Sequence, residues 1–233
     1  MRLTFASYNI HKGVGLDRKR DPERILSVLH EIDADIMALQ EADRRIGDRA
    51  SVLPRAVIDD THWRLVEVAR RPRSIGWHGN ASLVRRNIDV VAGDALDLPT
   101  LEPRGAACGE IVVEGVAMRI IGTHLDLSGL RRRDQIRSLL AHCRACDRNL
   151  PTVIMGDFNQ WGRQTGAMRE FADDWQVITP GRSYPSRQPV ATLDRIVASN
   201  HWNCVETAVH HTGLAAIASD HLPVKATLKL LKK

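Results

Sequence analysis

Residues 153–159, Val153-Ile154-Met155-Gly156-Asp157-Phe158-Asn159, join a short apolar run to polar side chains that follow it at once. Three apolar residues closed by a glycine are typical of a buried strand, because such strands are short and bounded by turn-forming residues. Asp157 and Asn159 then stand where the strand ends. The stretch predicts a buried strand that ends in side chains able to bind a metal or move a proton. Gly-Asp-Phe-Asn alone also suits a turn in which Asp and Asn bond to their own backbone.

The same arrangement recurs at three other predicted strands. Asn9 follows an apolar run, Glu41 follows Ile36 to Leu39, and His124 follows Ile120 and Ile121. Taken singly, each has an ordinary explanation: Glu41 as a solvated loop acid, and His124 as a hydrogen-bonded core histidine. Four strands that all end this way predict a functional site built from strand ends.

Acidic residues further along the chain extend this set. Asp194 lies in an apolar strand, where a carboxylate needs a hydrogen-bonded partner, and a histidine is the obvious one. Asp220-His221 suits either a cap or a site. Together Asn9, Glu41 and Asp220 offer hard oxygen ligands of the kind that Mg²⁺ prefers.

Outward from these segments, short strands alternate with a few helices, which predicts a single α/β domain over residues 1–233. A helix is expected after the cap Asp21-Pro22-Glu23 and another over 130–147, with Leu130 on its buried face, and residues 42–61 are expected to form a loop. Glu114-Gly115 suits a tight hairpin turn. Strands are expected at 2–10, 36–39, 62–69, 80–84, 88–92, 108–113, 116–124, 153–155, 175–178, 192–198, 204–210 and 222–230.

Composition restricts the class of protein. The 233 residues are 43% hydrophobic and 26% charged, which excludes a disordered chain, and the net charge of +5 mildly favours an anionic partner without identifying nucleic acid. Neither a membrane-spanning run nor a signal peptide is recognisable. The four cysteines are too scattered for a disulfide scaffold, and Cys143-x-x-Cys146 has no second pair that would favour zinc. We therefore expect a cytoplasmic protein with reduced thiols.

The polar motifs, taken in order, resemble the endonuclease/exonuclease/phosphatase superfamily of Mg²⁺-dependent phosphoesterases. The resemblance spans residues 4–229, and Tyr8-Asn9-Ile10-His11-Lys12-Gly13 is most similar to small bacterial members. It implies a four-layered α/β sandwich, with two mixed β-sheets packed face to face and helices outside. The motifs are Ser7-Tyr8-Asn9-Ile10-His11, Gln40-Glu41, Gly79-Asn80-Ala81, Thr123-His124-Leu125, Gly156-Asp157-Phe158-Asn159, Thr192-Leu193-Asp194-Arg195-Ile196 and Ser219-Asp220-His221-Leu222-Pro223.

The resemblance also implies roles for the site residues. Asn9 and Glu41 are expected to hold Mg²⁺ or Mn²⁺, with Asp220 assisting directly or through water. His221 is expected to act as general base on the attacking water, oriented by Asp194.

Three further residues complete the implied catalytic set. Asp157 is expected to position the attacking water or to take its proton in place of His221. His124 and Asn159 are expected to donate hydrogen bonds to phosphate oxygens.

Three residues are candidates for substrate binding. Arg104 can bind two phosphate oxygens at once, although a surface arginine is the plain alternative. Asn80 is a similar candidate, and Trp161 is expected beside the substrate unless it is a core tryptophan.

The substrate class stays open at this stage. The expected activity is hydrolysis of a phosphodiester, with nucleic acid ranked first and phospholipid headgroups, inositol phosphates or other small phosphoesters close behind. The alternative from another class is a non-catalytic module that binds anions on the same fold. We expect a monomer.

Overall fold

The computed structural model describes residues 1–44, 47–100, 103–146, 149–162 and 165–231, which contain twelve strands and four α-helices. The strands are β1 Arg2–Asn9, β2 Ile36–Gln40, β3 Trp63–Leu65, β4 Ala81–Arg85, β5 Asp89–Asp97, β6 Gly105–Val113, β7 Val116–His124, β8 Thr152–Asp157, β9 Trp175–Ile178, β10 Asp194–Ser199, β11 Trp202–Val209 and β12 Val224–Leu230. The helices are α1 Pro22–Ile32, α2 Arg55–Asp59, α3 Gly129–Ala145 and α4 Ala215–Ala218.

The strands form two six-stranded sheets. The first has the order β11-β12-β1-β2-β4-β3 and the second the order β5-β6-β7-β8-β10-β9. Each sheet contains one parallel pair, β1 with β2 and β7 with β8, and its other pairs are antiparallel. The prediction of two mixed sheets is therefore confirmed.

The core between the sheets is built from alternate residues of the strands. Phe5 and Ile36 of the first sheet pack in one cluster with Ile120, Met155 and Ile196 of the second, and all five are fully buried. Successive strand residues point to opposite faces, so the residues between them face outward. Apolar burial on this scale supplies most of the free energy that holds the sheets face to face.

Helices cover the two outer faces. Ile25 and Leu29 of α1 pack against Tyr8 on the outside of the first sheet. On the outside of the second sheet, Ile136 and Leu139 of α3 lie in the same cluster as Ile121 and Ile154, among other residues. The four layers that the resemblance implied are thus confirmed.

Local signals in the sequence account for several boundaries. The Asp21 side chain accepts a hydrogen bond from the Arg24 backbone N–H at 3.0 Å and Pro22 opens α1, as the cap predicted. Glu114 and Gly115 both have positive φ, 49° and 76°, which the tight hairpin turn between β6 and β7 requires.

Other predictions were wrong in part. The expected strand 62–69 is only Trp63–Leu65, and the loop 42–61 contains α2. Leu130 is 73% exposed, because at 3.6 residues per turn it points roughly 150° away from the face that Ile136 and Leu139 bury. Residue 147, the last of the predicted second helix, lies outside the described residues. None of the helices in the described ranges combines the length and apolarity needed to cross a bilayer.

Gly156 sits where β8 approaches β7 most closely. A Cβ added there would lie 1.9 Å from the Thr123 carbonyl oxygen, whereas at Gly129 the nearest atom is 3.6 Å away. Gly156→Ala is therefore expected to lower the free energy of unfolding by about 1–3 kcal/mol, the usual cost of overpacking. Gly129→Ala, the matched control at the start of α3, is expected to be neutral or slightly stabilising. Urea unfolding of both variants checks this, and equal stability would contradict it.

Candidate active site

The strand ends that carry polar residues meet at one rim of the sandwich. Asn9 continues the inward-facing row of Phe5 in β1, and Asp157 continues that of Met155 in β8. His124 is opposite Asp157 in the parallel β7–β8 pair, and Asp194 is opposite it in the antiparallel β8–β10 pair. Register and alternation together bring the four side chains to the same end of the space between the sheets.

Asp157 lies at the centre of the cluster and is buried. Its Oδ2 accepts a hydrogen bond from Asn9 Nδ2 at 3.1 Å, a contact that joins the two sheets. Nε2 of His124 lies 3.5 Å and Nε2 of His221 3.7 Å from the same oxygen. The other oxygen, Oδ1, accepts from the Asn159 backbone N–H at 2.9 Å. The predicted catalytic residues therefore surround one carboxylate.

These contacts set the protonation states. Burial would raise the pKa of Asp157, but the imidazoles of His124 and His221 and the Asn159 N–H outweigh it and keep that pKa below its usual value. Burial lowers the pKa of His124 to about 4, opposed by Asp157 and reinforced by Arg104. Near pH 7 Asp157 is thus ionised and His124 is neutral.

His221 is held between two carboxylates. Its Nδ1 is 2.9 Å from Asp194 Oδ2, an oxygen that also accepts a hydrogen bond from Ser183 Oγ at 2.5 Å. The ring of Tyr184 packs on the imidazole with 4.8 Å between centroids. The histidine expected as the partner of Asp194 is His221.

The pKa of His221 is raised to about 10. Burial works against the charged imidazole, but the carboxylates of Asp194, Asp157 and Asp220 outweigh that penalty. The ring is thus a charged hydrogen-bond donor near pH 7 in the metal-free chain.

The three predicted metal ligands surround the turn that follows β1. Asn9 Oδ1 accepts a hydrogen bond from the His11 backbone N–H at 3.1 Å, and the Lys12 ammonium contacts Glu41 Oε2. Asp220 Oδ1 lies 3.9 Å from His11 Nδ1. Burial would raise the pKa of Glu41, but His124, Lys12 and His11 keep it below its usual value.

This donor set fits a divalent cation. The amide nitrogen of Asn9 is turned to Asp157, which leaves Oδ1 on the side of the His11–Lys12 turn. Glu41 already holds a cationic group, and its half-buried carboxylate is a hard ligand of the type that Mg²⁺ or Mn²⁺ takes. Asp157, Asp194 and His221 also offer ligand atoms within 4.8 Å of one another. That group is better suited to handling protons, because His221 is charged and bonded to Asp194.

The three substrate-binding candidates lie in different settings. Arg104 is half-buried and close enough to His124 to affect its pKa. Trp161 is exposed on the loop after Asn159, so it is not a core tryptophan.

Asn80 is the candidate with the least access to a substrate. Its side chain is fully buried, and its Nδ2 donates to the carbonyls of Trp77 and Gly105. The second of these contacts supports the segment that carries Arg104. A direct contact between Asn80 and substrate stays a prediction.

The sequence did not single out several contacts that shape the site. Ser183 and Tyr184 support the His221–Asp194 pair from a loop, and Ser219 Oγ donates to the Asn9 carbonyl at 2.7 Å. Nothing in a lone serine or tyrosine marks such a role. Lys12 lay inside a quoted motif, but its contact with Glu41 depends on backbone geometry.

The backbone geometry at three residues of the site is unusual. Lys12, Glu41 and Asn159 have positive φ of 58°, 54° and 50°, values that side chains other than glycine rarely adopt. Such backbone persists only where the surroundings enforce it, which is common at functional sites.

Solved structures that share this fold align with almost the whole chain. An endonuclease/exonuclease/phosphatase family protein from Bacteroides thetaiotaomicron is 18% identical with a TM-score of 0.78, covering 100% of this chain and 99% of its own. A mannosyl-6-phosphatase from the same species is 19% identical with a TM-score of 0.76, covering 98% and 100%. TDP2 of D. rerio, complexed with a single strand DNA product, is 15% identical with a TM-score of 0.74, covering 98% and 99%.

Sequence comparison gives the family. The chain is 26% identical over 239 residues to the uncharacterized protein YbhP of Escherichia coli (strain K12), covering 95% of this chain and 94% of YbhP. The profile of one family matches residues 6–221, nearly the full length. The chain therefore belongs to the Endonuclease/Exonuclease/phosphatase family.

Proposed function

We propose that the chain is a divalent-metal-dependent phosphoesterase that hydrolyses a phosphodiester by in-line attack of an activated water. The observation that carries this is the arrangement around Asp157. The buried Asp157 carboxylate faces the amide of Asn9 and the imidazoles of His124 and His221. On the other side of Asn9, the turn that carries Lys12 lies against Glu41. Proton-handling groups and hard oxygen ligands thus share one rim, as phosphoryl transfer to water requires.

The metal site in this proposal consists of Asn9, Glu41 and Asp220. A bound Mg²⁺ or Mn²⁺ supplies positive charge that neutralises the phosphate and its leaving oxygen. In the metal-free chain the Lys12 ammonium contacts Oε2 of Glu41 and compensates the charge of that carboxylate.

The proton-accepting unit is the pair of Asp157 and His221, whose facing atoms are 3.7 Å apart. Strongly interacting groups titrate as a pair. In the metal-free chain near pH 7 His221 already carries its proton, so the ionised Asp157 is the member of the pair that can take one from water. Asp194 and Ser183 hold the imidazole in place from behind. The fixed orientation of His221 thereby sets the side from which the pair of Asp157 and His221 activates water.

Two residues are placed to donate hydrogen bonds to phosphate oxygens. Neutral His124 carries one N–H, and Asn159 Nδ2 is fixed by donating one of its two hydrogens to the Leu125 carbonyl at 2.9 Å. The second hydrogen is available to the ester. Such preorganised donors matter most where charge develops in the transition state.

This geometry does not favour the alternative of a non-catalytic anion-binding module. An anion-binding module needs cations at the rim but has no use for a buried Asp194–His221 pair supported by a serine. A phosphodiesterase needs both.

His221→Ala is expected to lower metal-dependent hydrolysis of bis(p-nitrophenyl) phosphate by about 10²–10⁴-fold, because it removes one half of the proton-accepting pair. The control is His211→Ala, an exposed histidine. Plasmid DNA, single-stranded RNA, phospholipid vesicles and p-nitrophenyl phosphate complete the panel and rank the substrate classes. Full activity in His221→Ala, or no turnover by the unmodified chain, would refute the proposal.

Glu41→Gln is expected to weaken binding of Mn²⁺ by more than about 10-fold, since loss of even a supporting contact to a metal ligand typically costs that much. Isothermal titration of metal-free protein measures it. Glu67→Gln, which removes an exposed carboxylate paired with Arg55, is the matched control and should bind as the unmodified chain does. Unchanged affinity in Glu41→Gln would remove Glu41 from the ligand set.

Asp194→Asn is expected to lower the pKa of His221 from about 10, because the substitution removes the carboxylate that opposes burial most strongly. NMR titration of the imidazole in metal-free protein measures this.

The same shift sets a pH window for stability. The folded-state pKa lies above the ordinary 6.5, so the stabilisation from the pair is complete below about pH 6.5 and is lost as the pH rises through about 10. The stability advantage over Asp194→Asn should shrink across that window. Identical titration curves in the two proteins would contradict the pairing.

A further inference from the structure

Exposed apolar side chains are concentrated around the candidate site. Of the nine large hydrophobic residues that are exposed in the described part of the chain, six lie on segments that carry or adjoin site residues, two of them in the short α4 and at the start of α3. The other three lie on the edge strands β5 and β11 and at Leu231, near the end of the chain. The six are Leu16, Leu127, Leu130, Trp161, Val190 and Ile217. Scattered exposed hydrophobics are ordinary, but clustering at a site marks a surface that binds something apolar.

The most exposed of them form what we call the apolar rim: Leu127, Leu130 and Trp161, which are 75%, 73% and 64% exposed. Two segments contribute to it, the start of α3 with the residues before it and the loop after Asn159, and Arg132 contacts both. Its guanidinium donates to the Leu127 carbonyl at 2.6 Å and to Gln160 Oε1 at 3.2 Å. The rim is thus a fixed feature in which three large apolar side chains face solvent.

The rim begins directly after catalytic candidates. Leu127 follows His124 by three residues, and Trp161 follows Asn159 by two. The bond from Asn159 Nδ2 to the Leu125 carbonyl links these two chain segments at their base. Whatever covers the apolar rim therefore lies beside the phosphate-binding groups.

Cationic side chains lie on the segments that carry or adjoin the site residues. Among the described residues, four arginines next to site segments have no ion-pair partner within 4 Å. Arg18 lies beyond the His11–Lys12 turn, Arg104 near His124, and Arg182 and Arg187 on either side of the segment that supports His221. Unpaired arginines on these segments give the candidate site a positive potential.

We propose that the apolar rim docks onto the surface of an anionic phospholipid bilayer, and that the substrate is a phosphodiester headgroup presented there. This rests on the proposed phosphodiesterase function. Tryptophan and leucine inserted at the headgroup level, with arginines beside anionic lipid, is the combination that interfacial binding uses. Of the three rim side chains only Trp161 can stack on a base, and the two leucines cannot, which makes single-stranded nucleic acid a poorer occupant.

The docking test measures cosedimentation of the chain with vesicles of phosphatidylglycerol and phosphatidylcholine in equal parts, against vesicles of phosphatidylcholine alone. His221→Ala is used so that no lipid is consumed. Binding is expected to the anionic vesicles and to weaken by about tenfold or more in Leu127→Ser/Leu130→Ser. Val91→Ser/Val205→Ser, which removes two exposed valines from edge strands, is the matched control. No binding to anionic vesicles, or equal binding by both double variants, would overturn the docking surface.

Activity separates this inference from the function on which it rests. In the active chain, Leu127→Ser/Leu130→Ser should leave hydrolysis of bis(p-nitrophenyl) phosphate unchanged and lower hydrolysis of phosphatidylglycerol in vesicles. Vesicle binding without turnover of any ester would support the docking surface and defeat the phosphodiesterase. Turnover of the soluble ester without vesicle binding would do the reverse. Weaker binding of single-stranded DNA in this variant, with vesicle binding intact, would assign the rim to nucleic acid.

Discussion

The site depends on one feature of strand pairing, the presence of a single parallel pair in each sheet. The carboxyl ends of parallel neighbours lie at the same edge, so β1 and β2 end together, as do β7 and β8. Because the sheets pack face to face, the two pairs end at a common rim. The hydrogen bond from Asn9 to Asp157 closes the rim across the gap between the sheets. Antiparallel pairing at either place would send one of these ends to the opposite edge.

The charged groups at this rim can be buried because groups of opposite charge lie next to one another. Asp157 and Asp194 are both buried carboxylates, and each would be costly alone. His221 lies between them, with Nδ1 facing Asp194 and Nε2 facing Asp157. Ser183 donates a neutral hydrogen bond to Asp194, and Asn9 donates one to Asp157. Both oxygens of Asp157 and Oδ2 of Asp194 have donors, whereas Oδ1 of Asp194 has none in the described chain. The satisfied part of a buried polar network is rigid, because each lost contact is costly in a medium of low polarity. Rigidity is what a site needs if its donors are to meet developing charge without rearrangement.

The sequence predicted most of the strands and the candidate site residues, because short apolar runs and the polar residues at their ends are local signals. It also indicated that Asp194 needs a partner, since an acid among apolar residues is costly. It did not reveal Ser183, Tyr184 or the contact between Lys12 and Glu41, which depend on how loops fold back over the rim. The prediction that Leu130 is buried was wrong, because its angle about the helix axis sets it apart from Ile136 and Leu139. The roles of the site residues stay predictions.

Because Lys12 contacts Glu41, this carboxylate has a positive partner in the folded chain without a bound metal ion. In small domains that fold around an ion, the empty site is a cluster of repelling anions, and removing the metal unfolds the chain. Here the ammonium compensates Glu41 from within the sequence, and the sheets carry their own apolar core. The folded architecture therefore does not depend on an ion at this carboxylate, and a chelator is expected to leave the two sheets intact.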